Sequence, residues 1–101
     1  MKRLVLSAAT IFAASVSCIV FSAADIEAGK AKAALCSGCH GPEGFSSNDL
    51  WPNLAGQKKG YLIKQIKDFR DGKRNDPMMK GIVGTLSDQD IENLAAFYSS
   101  K

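Results

Sequence analysis

The chain has 101 residues, of which 46% are hydrophobic and 23% charged, with a formal charge of +3. This length argues for one small domain, and so slight a basic excess gives no case for a nucleic-acid-binding protein. Lys2 and Arg3 supply much of that excess, and they belong to a segment with a purpose of its own.

The chain opens with "MKR", runs on as the uncharged and mostly apolar "LVLSAATIFAASVSCIVF", and reaches the small residues of "SAA". A positive start, an apolar stretch and a small-residue cleavage site make up a secretory signal. The reading is a signal peptide over residues 1–24, a domain over residues 25–101 and export to the periplasm. The alternative is an uncleaved anchor, because the apolar run approaches the length that spans a bilayer. Cys18 follows "SVS", which lacks a lipoprotein pattern, and is taken as a small apolar residue of the signal. Removal of Lys2 and Arg3 would bring the rest of the chain close to neutrality.

"DIEAGKAKAALCSGCH" reads as a first helix over residues 25–40. Asp25 can cap it, Glu27 suits its first turn, and its alanines are strong helix formers. Gly29 costs stability inside a helix and predicts the close approach of another one. "GPEGFSSNDLWPNLAGQ" is loop, with Phe45, Leu50, Trp51 and Leu54 as its apolar teeth. "KKGYLIKQIKDFRDG" is a second helix with Leu62, Ile66 and Phe69 on one stripe and Gly72 at its end. "KRNDPMMKGIVGT" reads as a second loop. "LSDQDIENLAAFYSS" is a third helix, with Ser87 and Asp90 as a capping box. Ile91, Leu94, Ala95 and Tyr98 form its inner face, and it is expected to cross the first helix at Gly29. No useful β-alternation appears, so the fold class is all-α.

A domain of this size buries little apolar surface and usually carries a staple. A disulfide between Cys36 and Cys39 would close too small a loop to stabilise much. The pentapeptide "CSGCH", Cys36 to His40, offers another staple, because Cys-x-x-Cys-His is the attachment signature of c-type haem. Each thiol adds across one vinyl group of the ring, and a short helical turn places both sulfurs on one edge. His40 then meets the iron, with its second nitrogen donating to a carbonyl that fixes the tautomer; "NDLWPNL" is where that carbonyl is expected. Two other readings compete. A thioredoxin-type dithiol site normally opens a helix behind a strand, and no strand pattern precedes Cys36. A structural zinc site needs about four ligands, and no Cys or His follows His40.

With one haem and one histidine, a methionine becomes the candidate for the remaining axial position. Met78 and Met79 are the candidates, and neighbouring residues cannot both point at the iron. Without a haem both would simply be loop hydrophobes.

The motifs "CSGCHG", "PNLAGQ" followed by "YLIKQIKDFRDGKR", "DPMM" and "LSDQDIENLAAFY" together resemble a class I c-type cytochrome. The nearest pattern is the cytochrome c4-like set. Cytochromes c4 carry two such domains in tandem, and this chain resembles one of them. The resemblance implies three main helices and loops around one covalent haem c, held by thioethers at Cys36 and Cys39. It implies axial ligation by His40 and a methionine. By family register that methionine is Met79, seven residues before Leu86, with Met78 packing at the haem edge.

A six-coordinate iron has no open position for substrate. The expected function is therefore not catalysis but one-electron transfer in a periplasmic chain. The partners would be redox proteins such as a respiratory complex, an oxidase or a dehydrogenase, with membrane contact only if the N-terminal segment is retained. Lys58, Lys59, Lys64, Lys67, Lys73, Arg74 and Lys80 either steer an acidic partner or form a solvated face. The alternatives are a cytochrome subunit tightly bound to a dehydrogenase, a haem-based ligand sensor, and a haem-free dithiol oxidoreductase.

Overall fold

The computed structural model describes residues 1–15 and 23–101. Residues 1–15 carry no helix or strand and are exposed. Cys18, Ser22 and the rest of the apolar run over residues 16–22 lie outside the described residues. Among the described residues no helix is long and apolar enough to cross a membrane.

Five helical segments make up the domain: α1 (Ile26–Lys32), α2 (Ala34–His40), α3 (Lys59–Arg70), α4 (Pro77–Val83) and α5 (Asp88–Ser99). Among the described residues there is no strand. The fold is all-α, as the sequence predicts, with two differences in detail. The helix expected over residues 25–40 is divided at Ala33, whose carbonyl accepts from both Cys36 N and Ser37 N at 2.9 and 3.0 Å. That shared acceptor tightens the turn that leads into the cysteines.

The second difference corrects the reading of residues 73–85 as loop, because α4 lies inside that segment. Asp76 is its N-cap, its Oδ1 accepting from Met78 N at 3.0 Å and Met79 N at 3.1 Å, and Pro77 occupies the first turn. Asp followed by Pro is a helix-start signal as well as a turn signal. Gly81, two residues after Met79, sits within the helix.

The frame is set where α1 crosses α5. A Cβ on Gly29 would lie 2.0 Å from Asn93 O and 3.0 Å from Phe97 Cβ, so only glycine allows this approach. Asn93 reinforces the crossing, since its Oδ1 accepts from Asp25 N at 2.8 Å, the backbone of the α1 cap. Asp25 in turn caps α1 by accepting from Ala28 N. The capping box of α5 is complete: Ser87 Oγ accepts from Asp90 N, and Asp90 Oδ2 accepts from Ser87 N, both at 3.0 Å. Arg70, at the end of α3, reaches across to Asp88 and to the Leu86 carbonyl, which anchors the start of α5.

The buried core comes mainly from α5, through Ile91, Leu94, Ala95, Phe97 and Tyr98. Leu62 and Phe69 of α3, Val83 of α4, and Leu86 complete most of the rest. Of the four apolar teeth expected in the loop after α2, Leu54 packs on the core and Trp51 is half-buried. Phe45 and Leu50 are exposed. The loop is instead pinned by Gly44, whose carbonyl accepts from Leu54 N and Ala55 N. Gly44 has φ +85°, and a Cβ there would meet Tyr98 Cδ1 at 2.7 Å, so the loop depends on a bare backbone against the tyrosine ring.

Gly29→Ala is expected to cost about 3 kcal/mol of unfolding free energy, because the intruding methyl must push α1 off α5. Ser87→Ala should cost about 1 kcal/mol through the lost cap. Chemical denaturation of both variants checks this; near-equal losses would show that the crossing tolerates separation.

Candidate cofactor site

The helices enclose a cavity of about 340 Å³, within the usual range for a ligand site. Its wall is largely apolar, with Ile66 and Phe69 from α3, Ile82 and Val83 from α4, and Leu94 from α5. Cys36, Cys39, His40, Met78 and Met79 all line it. Every residue singled out in the sequence as a thioether or iron ligand thus stands around one space.

The last turn of α2 delivers the two cysteines and the histidine. Both thiols are free and half-buried. His40 is 6% exposed, with Nδ1 at 2.8 Å from the carbonyl oxygen of Pro52. A carbonyl only accepts, so Nδ1 carries the proton, and Nε2 keeps its lone pair for a metal. Pro52 lies inside the segment where the sequence analysis expects this partner.

The helix α4 brings the methionines. Met79 is half-buried and packs on the hydrophobic core, whereas Met78 is 59% exposed. Successive residues on a helix are rotated by about 100° and cannot share a direction. The cap at Asp76 fixes that rotation at its start.

Three features of the wall were not read from the sequence. Arg74 Nη1 donates to Gln65 Oε1 at 2.7 Å, and its guanidinium lies 4.4 Å from the centroid of the Phe69 ring. Among the described residues it is the only arginine or lysine on the wall. Tyr98 lines the same wall, and its hydroxyl is buried with no hydrogen-bond partner among the described residues. Burial pushes the Cys36 thiol above its ordinary range, opposed in part by the Tyr98 hydroxyl. No sequence pattern marks such tertiary neighbours.

Some of the expected basic cluster is paired. Lys59 bridges to Glu92 at 3.4 Å, and Lys64 to Asp68 one turn along α3. Lys58, Lys67, Lys73 and Lys80 make no salt bridge among the described residues.

Two thiols on one helical turn, an oriented imidazole, a thioether from α4 and an apolar wall form a donor set suited to a c-type haem. One wall cation is also available to a carboxylate of such a ring.

Known proteins agree with this geometry. The family model described as Cytochrome c matches residues 26–100. Cytochrome c4 of Pseudomonas aeruginosa is 46% identical over 83 residues, covering 82% of this chain and 41% of that protein. Cytochrome c-554(548) of Halomonas halodenitrificans is 43% identical over 82 residues, covering 78% of this chain and 99% of that protein. A protein named thiosulfate dehydrogenase electron acceptor, from Stutzerimonas stutzeri, is 40% identical over 65 residues, 63% of this chain and 30% of that protein. Among solved structures, a cytochrome c4 of Acidithiobacillus ferrooxidans superposes with a TM-score of 0.72 at 30% identity, over 80% of this chain and 52% of that chain. The chain spans less than half the length of the cytochrome c4 relatives. With the helical frame and the sequence matches in agreement over residues 26–100, the chain belongs to the cytochrome c family, among its class I, cytochrome c4-like members.

Proposed function

We propose that the domain over residues 25–101 is a single-haem electron carrier of the periplasm, exported by the signal at residues 1–24. The observation that carries this reading is the meeting of Cys36, Cys39, His40 and Met79 around one apolar cavity, with His40 already oriented by Pro52.

In this reading Cys36 and Cys39 would tether the ring by thioethers, and His40 Nε2 and the Met79 sulfur would hold its iron. The bound haem supplies a one-electron Fe(III)/Fe(II) couple, which a methionine ligand holds at a higher potential than a second histidine would. The burial of Met79 on the core, against the exposure of Met78, supports Met79 as the ligand. The Pro52 carbonyl keeps the imidazole in one tautomer and one orientation, and a fixed ligand adds little reorganisation to electron transfer. The hydrophobic residues of α3 and α4 exclude water from the ring faces. Held by both His40 and Met79, a haem iron would have no position left for a substrate, so this donor set would suit a carrier rather than an enzyme or a ligand sensor.

The thiol chemistry weighs against a dithiol oxidoreductase. A reactive cysteine needs a depressed pKa, whereas burial raises that of Cys36. The partners are other redox proteins, met through small transient contacts. That a relative is named as an electron acceptor for a dehydrogenase supports this class of partner. Lys58, Lys67, Lys73 and Lys80, free of internal ion pairs among the described residues, offer charge for steering an acidic one.

Mass spectrometry of the exported protein is expected to give an N-terminus at Asp25 and the mass of one covalent haem. An unmodified chain would overturn the reading. Optical spectroscopy tests the ligands: Met79→Ala should lose the far-red methionine–iron charge-transfer band, and Met78→Ala should keep it. The reverse pattern would move the ligand to Met78.

A further inference from the structure

Tyr98 is only 1% exposed, so its phenol ring is part of the core. It lies tilted against Phe97, with centroids 5.0 Å apart, and is packed beneath the bare backbone of Gly44. Tyr98 lines the cavity, and its hydroxyl is buried with no hydrogen-bond partner among the described residues. Phenylalanine would fill the same core volume without burying a polar atom. A buried hydroxyl left unmatched is costly, and native structures rarely keep one. The ring is held on two sides, so the hydroxyl cannot swing away to another acceptor.

Cys36 shares the cavity wall with Tyr98. The cysteine packs against the core cluster that contains Tyr98, and both residues line the cavity. Burial raises the ionisation range of both groups, with a smaller effect of each on the other. As a free thiol, Cys36 can donate or accept. As a thioether its sulfur loses the proton and is only an acceptor. The hydroxyl is then the sole possible donor of the pair.

We propose that Tyr98 is a positioning residue for the cofactor: its hydroxyl donates a hydrogen bond to the sulfur of the Cys36 thioether. This rests on the reading of Cys36 as a haem attachment point. The bond would fix the rotamer of the Cys36 side chain, and so the seating of that edge of the ring. It would also draw electron density from the sulfur, which favours the reduced iron.

The test uses the exported, haem-loaded full chain. Tyr98→Phe removes one oxygen and keeps the ring packing. It should displace the thioether C–S stretching mode in resonance Raman spectra. It should lower the ratio of reduced to oxidised protein at a fixed ambient potential by about two- to fivefold, from the loss of part of one hydrogen bond. The far-red methionine–iron band should stay. An unmoved C–S mode overturns the assignment, including the case where only the pH dependence of the potential changes, which would place the hydroxyl on a cofactor carboxylate. A measurement on the reduced wild-type protein is independent of how the variant folds. There, NMR should find a slowly exchanging Tyr98 hydroxyl proton with a nuclear Overhauser effect to the Cys36 β-protons, and absence of that contact overturns the proposal. A wild-type chain without covalent haem overturns the haem reading itself, and this inference with it.

Discussion

The backbone-to-backbone approach of α1 and α5 at Gly29 and Asn93 is the constraint on which the domain depends. It sets the two longest-separated parts of the sequence side by side, and the Asn93 side chain then holds the cap of α1. Because α2 continues from α1 through the single residue Ala33, the placement of α1 also places Cys36, Cys39 and His40. The chemistry-bearing turn is thus positioned by a contact that contains no chemistry of its own.

The second constraint acts on the loop that supplies Pro52. Its ends are closed by hydrogen bonds from Leu54 and Ala55 to the Gly44 carbonyl, and Gly56 N donates to the Tyr98 carbonyl at 2.9 Å. The acceptor for His40 Nδ1 is therefore held by the same helix that packs on α1. Imidazole orientation, loop closure and the core of α5 belong to one connected set. The small size of the domain makes this economy understandable, since few apolar residues are available to fix each part separately.

Much of this was legible in the sequence because the signals were local. The cap at Asp25, the box of Ser87 and Asp90, the stripe of Leu62 and Phe69 and the spacing of Cys36, Cys39 and His40 each declare themselves within a few residues. Gly29 was informative because its cost inside a helix demanded a tertiary reason. The helix α4 was missed because Asp76–Pro77 serves turns and helix starts alike, and seven residues are too few for a clear period. Arg74 over Phe69 and the buried hydroxyl of Tyr98 are products of packing between distant segments. The exposure of Phe45 shows the converse, an apolar residue in a loop that the core did not need.

The Asp76 cap has a consequence for how the site is built in time and energy. A seven-residue helix is not stable in isolation, so α4 exists only while Val83 and its neighbours stay packed against α3. His40, by contrast, hangs on the α1–α5 frame. The two sides of the cavity accordingly depend on different packing contacts, the methionines on α4 against α3 and the cysteines and histidine on α1 against α5.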